Sequence, residues 1–125
     1  MISKILEKRI KSLYTKKGRL KNNSFIIEGK RSLLTAIHNS VIIKNIVLSK
    51  DFIKKNKNLT PYNKYKTSVV DDKCFDQISQ VDSPSGILAE AAIPLHSKLN
   101  PYFPMVYLDQ ISDPGNLGTI IRTCD

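Results

Sequence analysis

Short apolar runs alternate with short amphipathic segments along most of this chain, and this alternation limits the folds it can adopt. The predicted strands are residues 25–28, 46–49, 67–70 and 87–92. The predicted helices are residues 1–14, 30–39, one that ends at 55 and one that ends at 78. Ser49 or Asp51 would cap the third helix, and Asp71 or Asp72 the fourth. Strands that alternate with helices favour an α/β domain with a mixed or parallel sheet.

The first helix is basic and amphipathic. Its apolar face is formed by Ile2, Ile5, Leu6, Ile10 and Leu13. Such a helix can lie on a membrane surface, which leaves a membrane-surface protein as one alternative. The segment has no secretory apolar core or cleavage site, and we favour a surface helix docked on its own domain. Residues 15–23 follow it as a predicted basic loop.

The net charge of +9 is concentrated in the first half of the chain. Residues 1–66 hold 17 lysines and arginines against three acids, whereas residues 67–125 hold three against eight. A basic amino-terminal half favours a nucleic acid as partner. The alternative is a lysine-rich compositional bias, which the many Asn and Ile residues would also fit.

The cysteines and histidines indicate neither a disulfide framework nor a metal site. Cys74 and Cys124 lie 50 positions apart, and His38 and His96 are isolated. We therefore expect reduced thiols, a cytoplasmic protein and no bound metal. No apolar stretch approaches the roughly 20 residues of a membrane span, so no membrane partner is expected.

A proline-containing segment divides the chain. Residues 94–104 hold three prolines and are predicted to link a domain at residues 1–93 to a short segment at 105–125. That segment reads as a strand at 105–108, a turn and the start of a helix. One strand and part of a helix cannot bury a core. We expect it to be the opening of a second domain whose remainder is absent from this sequence.

The turn before the last helix gathers polar residues. Pro114 and Gly115 favour a sharp turn, and Asn116 would cap the helix or point its amide at a ligand. Gly118 and Arg122 are four residues apart and share a helical face, so a ligand could approach the helix and still meet the guanidinium. Ile120 and Ile121, by contrast, would face the core. The alternative is a plain turn, an Asn cap and a solvated Arg.

Residues 113–123, Asp-Pro-Gly-Asn-Leu-Gly-Thr-Ile-Ile-Arg-Thr, resemble the first motif of the SpoU (TrmH-like) RNA 2′-O-ribose methyltransferases. Residues 16–19, 25–31 and 83–89 resemble the substrate-binding domain that precedes the methyltransferase domain in this family. The motif match is nearly continuous and specific, whereas the amino-terminal match is weaker.

The resemblance implies a fold and a reaction. It implies an amino-terminal α/β/α sandwich like certain RNA-binding ribosomal proteins, followed by the first strand and helix start of a knotted α/β methyltransferase domain. That domain binds S-adenosylmethionine and forms a homodimer in the family. Asn116 and Arg122 match the motif residues of the active site. The later motifs that complete the cofactor pocket have no counterpart in this sequence, so we expect these 125 residues alone to lack turnover.

Five basic residues are the candidates for RNA phosphate contacts. They are Lys16, Lys17, Arg19, Lys30 and Arg31. Such contacts position RNA without reading its bases. Tyr14 and Phe25 could stack on bases, although core packing is favoured for Phe25.

Two functions follow from these observations. The first is an RNA 2′-O-methyltransferase that acts on RNA, with ribosomal RNA favoured over transfer RNA because of the family's extra amino-terminal domain. The alternative is a non-catalytic RNA-binding module. The first predicts methyl transfer, and both predict RNA binding that weakens with salt.

Overall fold

The computed structural model describes residues 4–96 and 98–125. It divides into two compact units, one that ends at Leu95 and one that starts at His96. The predicted domain boundaries at residues 93, 94 and 104 stay predictions. Among the described residues, no helix is both long and apolar enough to cross a bilayer.

A four-stranded mixed sheet forms the centre of the first unit. Its strands are β1 (Ser24–Glu28), β2 (Ile43–Ser49), β3 (Thr67–Val70) and β4 (Ile87–Ala92). Their spatial order is β1-β4-β2-β3, with β4 antiparallel to both of its neighbours and β2 parallel to β3. The prediction of an α/β domain is confirmed, with a mixed sheet.

Helices cover both faces of this sheet. They are α1 (Lys4–Leu13), α2 (Lys16–Asn22), α3 (Lys30–His38), α4 (Lys50–Lys55) and α5 (Asp72–Ile78), with a short 3₁₀ helix at Thr60–Tyr62. The second unit contains α6 (Pro114–Cys124). Ser49, one of the two predicted caps, accepts a hydrogen bond from the Phe52 amide and begins α4. Asp71 holds the cap position of α5 without a side-chain hydrogen bond.

Two core layers result from the two-residue period of the strands. On β2, Ile46 and Leu48 join one buried cluster with Leu33 of α3. Val47, between them, joins the other cluster with Ile10 of α1. Since alternate residues of a strand point to opposite faces, each face buries its own helices. The predicted α/β/α sandwich is confirmed.

The apolar face of α1 is narrower than predicted. Ile10 and Leu13 are buried and Leu6 is half-buried, whereas the Ile5 side chain is 82% exposed. Residues 6, 10 and 13 follow the spacing of one helical face, and residue 5 precedes that face by 100°. The assignment of Ile5 to the packed face is therefore wrong. Ile2 lies outside the described residues.

Residues 16–22 form a helix, so the prediction of a basic loop over 15–23 is wrong. Thr15 caps α2 by accepting a hydrogen bond from the Gly18 amide at 3.0 Å. Gly18 is buried because α2 turns back closely on α1, and an added Cβ would lie 2.6 Å from the Ser12 carbonyl carbon. Asn23 ends the helix in the left-handed region, with φ of 46°. A threonine cap, a glycine contact and a left-handed asparagine thus outweigh the loop-like composition.

Two expectations for the second unit are also wrong. Residues 105–108 form no strand, because no described segment supplies the paired amides and carbonyls that a strand requires. Among the isoleucines expected to face a core, Ile120 is half-buried, but Ile121 is 58% exposed. The described part of this unit has no buried residue, so it provides no core for Ile121 to face.

Candidate nucleic-acid interface

The start of α2 presents two lysines to solvent. The Thr15 cap fixes the first turn, and the buried Gly18 fixes which side of the helix faces the domain. Lys16 and Lys17 are exposed, and the structure gives neither a hydrogen bond nor an ion pair within residues 4–96 and 98–125. Both ammonium groups are therefore available to an anion.

Arg19, by contrast, is engaged within the fold. Its Nη1 donates to the Tyr14 carbonyl oxygen at 3.0 Å and lies 3.3 Å from that of Leu13. These carbonyls belong to the end of α1, where a helix leaves acceptors unpaired. Arg19 thus holds the corner between α1 and α2. Its predicted contact with phosphate stays a prediction.

Lys30 and Arg31 occupy the first turn of α3. This helix follows Gly29, which has φ of 99° and supplies no side-chain cap, and its first turn contains no acid. Lys30 Nζ donates to Asn56 Oδ1 at 2.7 Å. Arg31 is exposed, with no partner in the described part of the chain. Positive side chains beside the positive end of a helix dipole favour an external anion at this turn.

The sandwich brings the two basic segments to the same end of β1. The Tyr14 hydroxyl donates to the Ile78 carbonyl oxygen at 2.8 Å and lies 3.5 Å from Glu28 Oε2. Burial, together with the Glu28 carboxylate, raises the pKa of Tyr14. Tyr14 lies two positions before Lys16, and Glu28 lies two before Lys30. Both segments therefore lie at the carboxyl end of β1.

Glu28 does not leave its charge open to this surface. Its carboxylate accepts hydrogen bonds from the Ser79 hydroxyl and, at 3.4 Å, from the Gln80 amide. Phe25, on the same strand, is half-buried and packs against the core cluster that contains Leu33. Core packing rather than base stacking is the role that the structure gives Phe25.

A groove between α1 and α2 brings together basic residues that the sequence reasoning missed. It has a volume of about 340 Å³. Its lining includes Ile5, Lys8, Arg9, Lys21 and Asn22. Lys17 and Lys21 are four residues apart on α2, so they share a face of the helix. A helical interpretation of residues 16–22 from the Thr15 cap would have revealed this spacing.

The motif helix α6 begins at an aspartate cap. Asp113 Oδ2 accepts a hydrogen bond from the Asn116 amide at 2.8 Å, so the prediction that Asn116 caps this helix is wrong. Asn116 and Arg122 are both exposed, in the first and last turns. A Cβ added at Gly118 would meet nothing within 4 Å. A ligand can therefore approach α6 closely on the face that Gly118 and Arg122 share.

The described residues of the second unit do not by themselves fit S-adenosylmethionine. A cofactor of this size is normally enclosed over most of its surface. No residue in 98–125 is buried, and α6 has no buried side chain. Among the described residues, no cluster of His, Cys, Asp and Glu could hold a metal ion.

Comparison with known proteins identifies the first unit. Residues 6–89 match the family model of the MRM3-like substrate binding domain. Over 115 residues the chain is 33% identical to the 23S rRNA (guanosine(2553)-2′-O)-methyltransferase RlmP of Bacillus subtilis. The match covers 92% of this chain and 45% of that protein.

Solved structures share the fold. A Porphyromonas gingivalis chain, assigned to the TrmH family of RNA methyltransferases, is 26% identical with a TM-score of 0.77. An rRNA methyltransferase from Sinorhizobium meliloti, solved with S-adenosylmethionine bound, is 27% identical with a TM-score of 0.73. These matches cover 100% and 99% of this chain, and 49% and 48% of the solved chains. The chain thus spans about half the length of these proteins.

Proposed function

This chain belongs to the MRM3-like substrate-binding domain family of SpoU/TrmH RNA methyltransferases, and we propose that its first unit binds ribosomal RNA for methylation at a ribose 2′-hydroxyl. The observation that carries the proposal is the basic surface at the carboxyl end of β1. Lys16, Lys17 and Arg31 are exposed there without partners in the described chain, and internal hydrogen bonds occupy Glu28. This arrangement suits a polyanion.

Ribosomal RNA is the proposed substrate because the related B. subtilis protein is named as a 23S rRNA methyltransferase. Phosphate contacts from lysines would hold the RNA in register without selecting a base. The sequence-specific part of recognition therefore lies outside this set of residues. A cytoplasmic location and a homodimer are parts of the same proposal.

In the proposed reaction, Arg122 stabilises negative charge as the 2′-hydroxyl oxygen loses its proton. A guanidinium stays protonated at neutral pH, so it is a poor base but a good electrostatic partner for oxygen or phosphate. Asn116 would orient the ribose or Arg122 through its amide. S-adenosylmethionine would supply the methyl group, and we derive no step through it from these residues.

RNA binding and turnover can be separated by mutation. Lys16→Ala, Lys17→Ala and Arg31→Ala together should weaken RNA binding and reduce its salt dependence by about 0.7 in logarithmic slope for each lost contact with a single strand. Fluorescence anisotropy over a series of salt concentrations measures both. Lys54→Ala with Lys57→Ala is the matched control, because both lysines are exposed outside this surface. RNA binding that does not respond to salt would refute the proposal.

Arg122→Ala should instead lower methyl transfer far more than RNA affinity. Incorporation of radiolabelled methyl groups into ribosomal RNA measures turnover, and anisotropy measures affinity. Equal losses in both would show that Arg122 only docks the RNA.

The exposure of the second unit favours one further candidate, a non-catalytic RNA-binding module. Its described residues enclose no site, as noted for the cofactor. This function predicts the same salt-dependent binding with no methyl transfer under any condition. Detectable transfer by the chain would exclude it.

A further inference from the structure

The groove between α1 and α2 has a basic rim that the proposed RNA contacts do not include. Lys8 on α1 and Lys21 on α2 both line it, and both are exposed. Neither has a hydrogen bond or an ion pair within the described residues. The two helices approach closely because Gly18 has no side chain.

The acids nearest to this groove are already neutralised. Arg9 donates to both carboxylate oxygens of Glu90, from Nε at 2.8 Å and from Nη2 at 2.6 Å. Lys11 Nζ lies 2.6 Å from Glu7 Oε1. Each of these acids is matched by a cation, so Lys8 and Lys21 contribute uncompensated positive charge.

We infer that this groove binds a stretch of RNA backbone, with phosphates on Lys8 and Lys21 and a sugar or base face against Ile5. The inference rests on the proposed RNA-binding function and adds a second contact site to it. Ile5 is 82% exposed at the rim, where it offers an apolar contact beside the two cations. Paired cations beside an apolar surface suit single-stranded RNA, whose bases are unstacked.

The same observations disfavour a membrane surface as the occupant. A helix that lies on a membrane buries a continuous apolar face in lipid. Here Ile10 and Leu13 are each 1% exposed because that face packs on the sheet, which leaves Ile5 alone. One isoleucine offers too little apolar surface for membrane binding, whereas the charge of Lys8 and Lys21 fits a phosphate backbone.

The double variant Lys8→Ala/Lys21→Ala of the full chain tests the inference. The probe is a fluorescein-labelled single-stranded oligouridine, titrated over a series of salt concentrations. Loss of both contacts should weaken binding and lower the logarithmic salt slope by about 1.4. Lys54→Ala/Lys57→Ala removes equal charge and should change neither quantity. Ile5→Asp, which places an acid at an 82% exposed position, should also weaken binding without changing the melting temperature.

The outcomes separate the groove from the proposed function. If the wild-type chain fails to bind RNA, or binds it without salt dependence, the proposed function and the groove both fail. If binding weakens with Lys16→Ala/Lys17→Ala/Arg31→Ala but not with either groove variant, the groove alone fails. Crosslinks from 4-thiouridine to the Ile5–Lys8 peptide would support the groove. Binding to anionic vesicles that RNA does not displace would overturn it in favour of a membrane.

Discussion

The ion pair between Arg9 and Glu90 should be a large single contribution to the stability of the sandwich. Glu90 lies on the central strand β4, and its side chain is 5% exposed, whereas that of Arg9 is 39% exposed. Arg9→Met would leave a carboxylate in the core with no guanidinium. Breaking a buried pair costs about 3–5 kcal/mol, and the partial exposure of Arg9 reduces our expectation to about 2–3 kcal/mol. For a unit of this size, that corresponds to a fall of about 10–20 °C in melting temperature.

Thermal and urea unfolding followed by circular dichroism measure this effect. Lys11→Met is the matched control, since its pair with Glu7 lies on the surface of the same helix and contributes less than about 0.5 kcal/mol. The double variant Arg9→Met/Glu90→Leu should be more stable than Arg9→Met, because it removes the unpaired buried charge together with its partner. If Arg9→Met is no more destabilising than Lys11→Met, the reasoning is refuted.

The same pair sets a pH dependence with a definite sign. Burial acts to raise the pKa of Glu90, but the hydrogen bonds from Arg9 and Ser24 outweigh it and hold that pKa below its ordinary value of 4.5. A depressed carboxyl pKa stabilises the fold above the unfolded value, and this stability is lost as pH falls through the folded value. The wild-type chain should therefore lose stability below about pH 4.5. Arg9→Met should lose less over that range, as stability curves at several pH values would show.

Three further changes test local features of the fold. Gly18→Ala should destabilise the first unit, since the added Cβ would lie 2.6 Å from the Ser12 carbonyl carbon; an unchanged urea midpoint would contradict this. Thr15→Ala removes the α2 cap and should cost about 1 kcal/mol by the same measurement, whereas Thr15→Ser should retain most of the stability. Gly118→Ala meets no neighbour and should leave stability unchanged or raise it by about 0.5–1 kcal/mol, and a clear loss would show a contact on that face.

Sequence patterns predicted the strands well where both faces are buried. The bounds predicted for β3 and β4 agree with the structure, because an apolar run with turn residues at both ends leaves little choice of limits. β2 begins three residues earlier than predicted, at Ile43. Lys44 and Asn45 interrupt the apolar run there, and pairing with β4 nevertheless continues to Ile43 across a register shift. Tertiary pairing extends a strand beyond what its own composition indicates.

The errors have a common cause, since each depends on a contact that the sequence does not display. Helix α2 depends on the close approach of Gly18 to Ser12, so its polar composition suggested a loop. The exposure of Ile5 depends on the angle at which α1 docks, which fixes the packed face at Ile10 and Leu13. Residues 105–108 have the composition of a strand but no described partner. Local propensity is a weak guide wherever distant packing decides the outcome.

The ion pairs of the first unit leave its positive charge unevenly distributed. Lys50 pairs with Asp71, and Lys55 pairs with Asp51 at 2.6 Å, so acids compensate the lysines at both ends of α4. On α2 no acid is present, and Lys16, Lys17 and Lys21 have no partner among the described residues. Screening reduces the field of a compensated pair far more than that of an isolated cation. The attraction for an approaching polyanion is therefore concentrated at α2 and the edge strand β1, where the basic surface and the α1–α2 groove both lie.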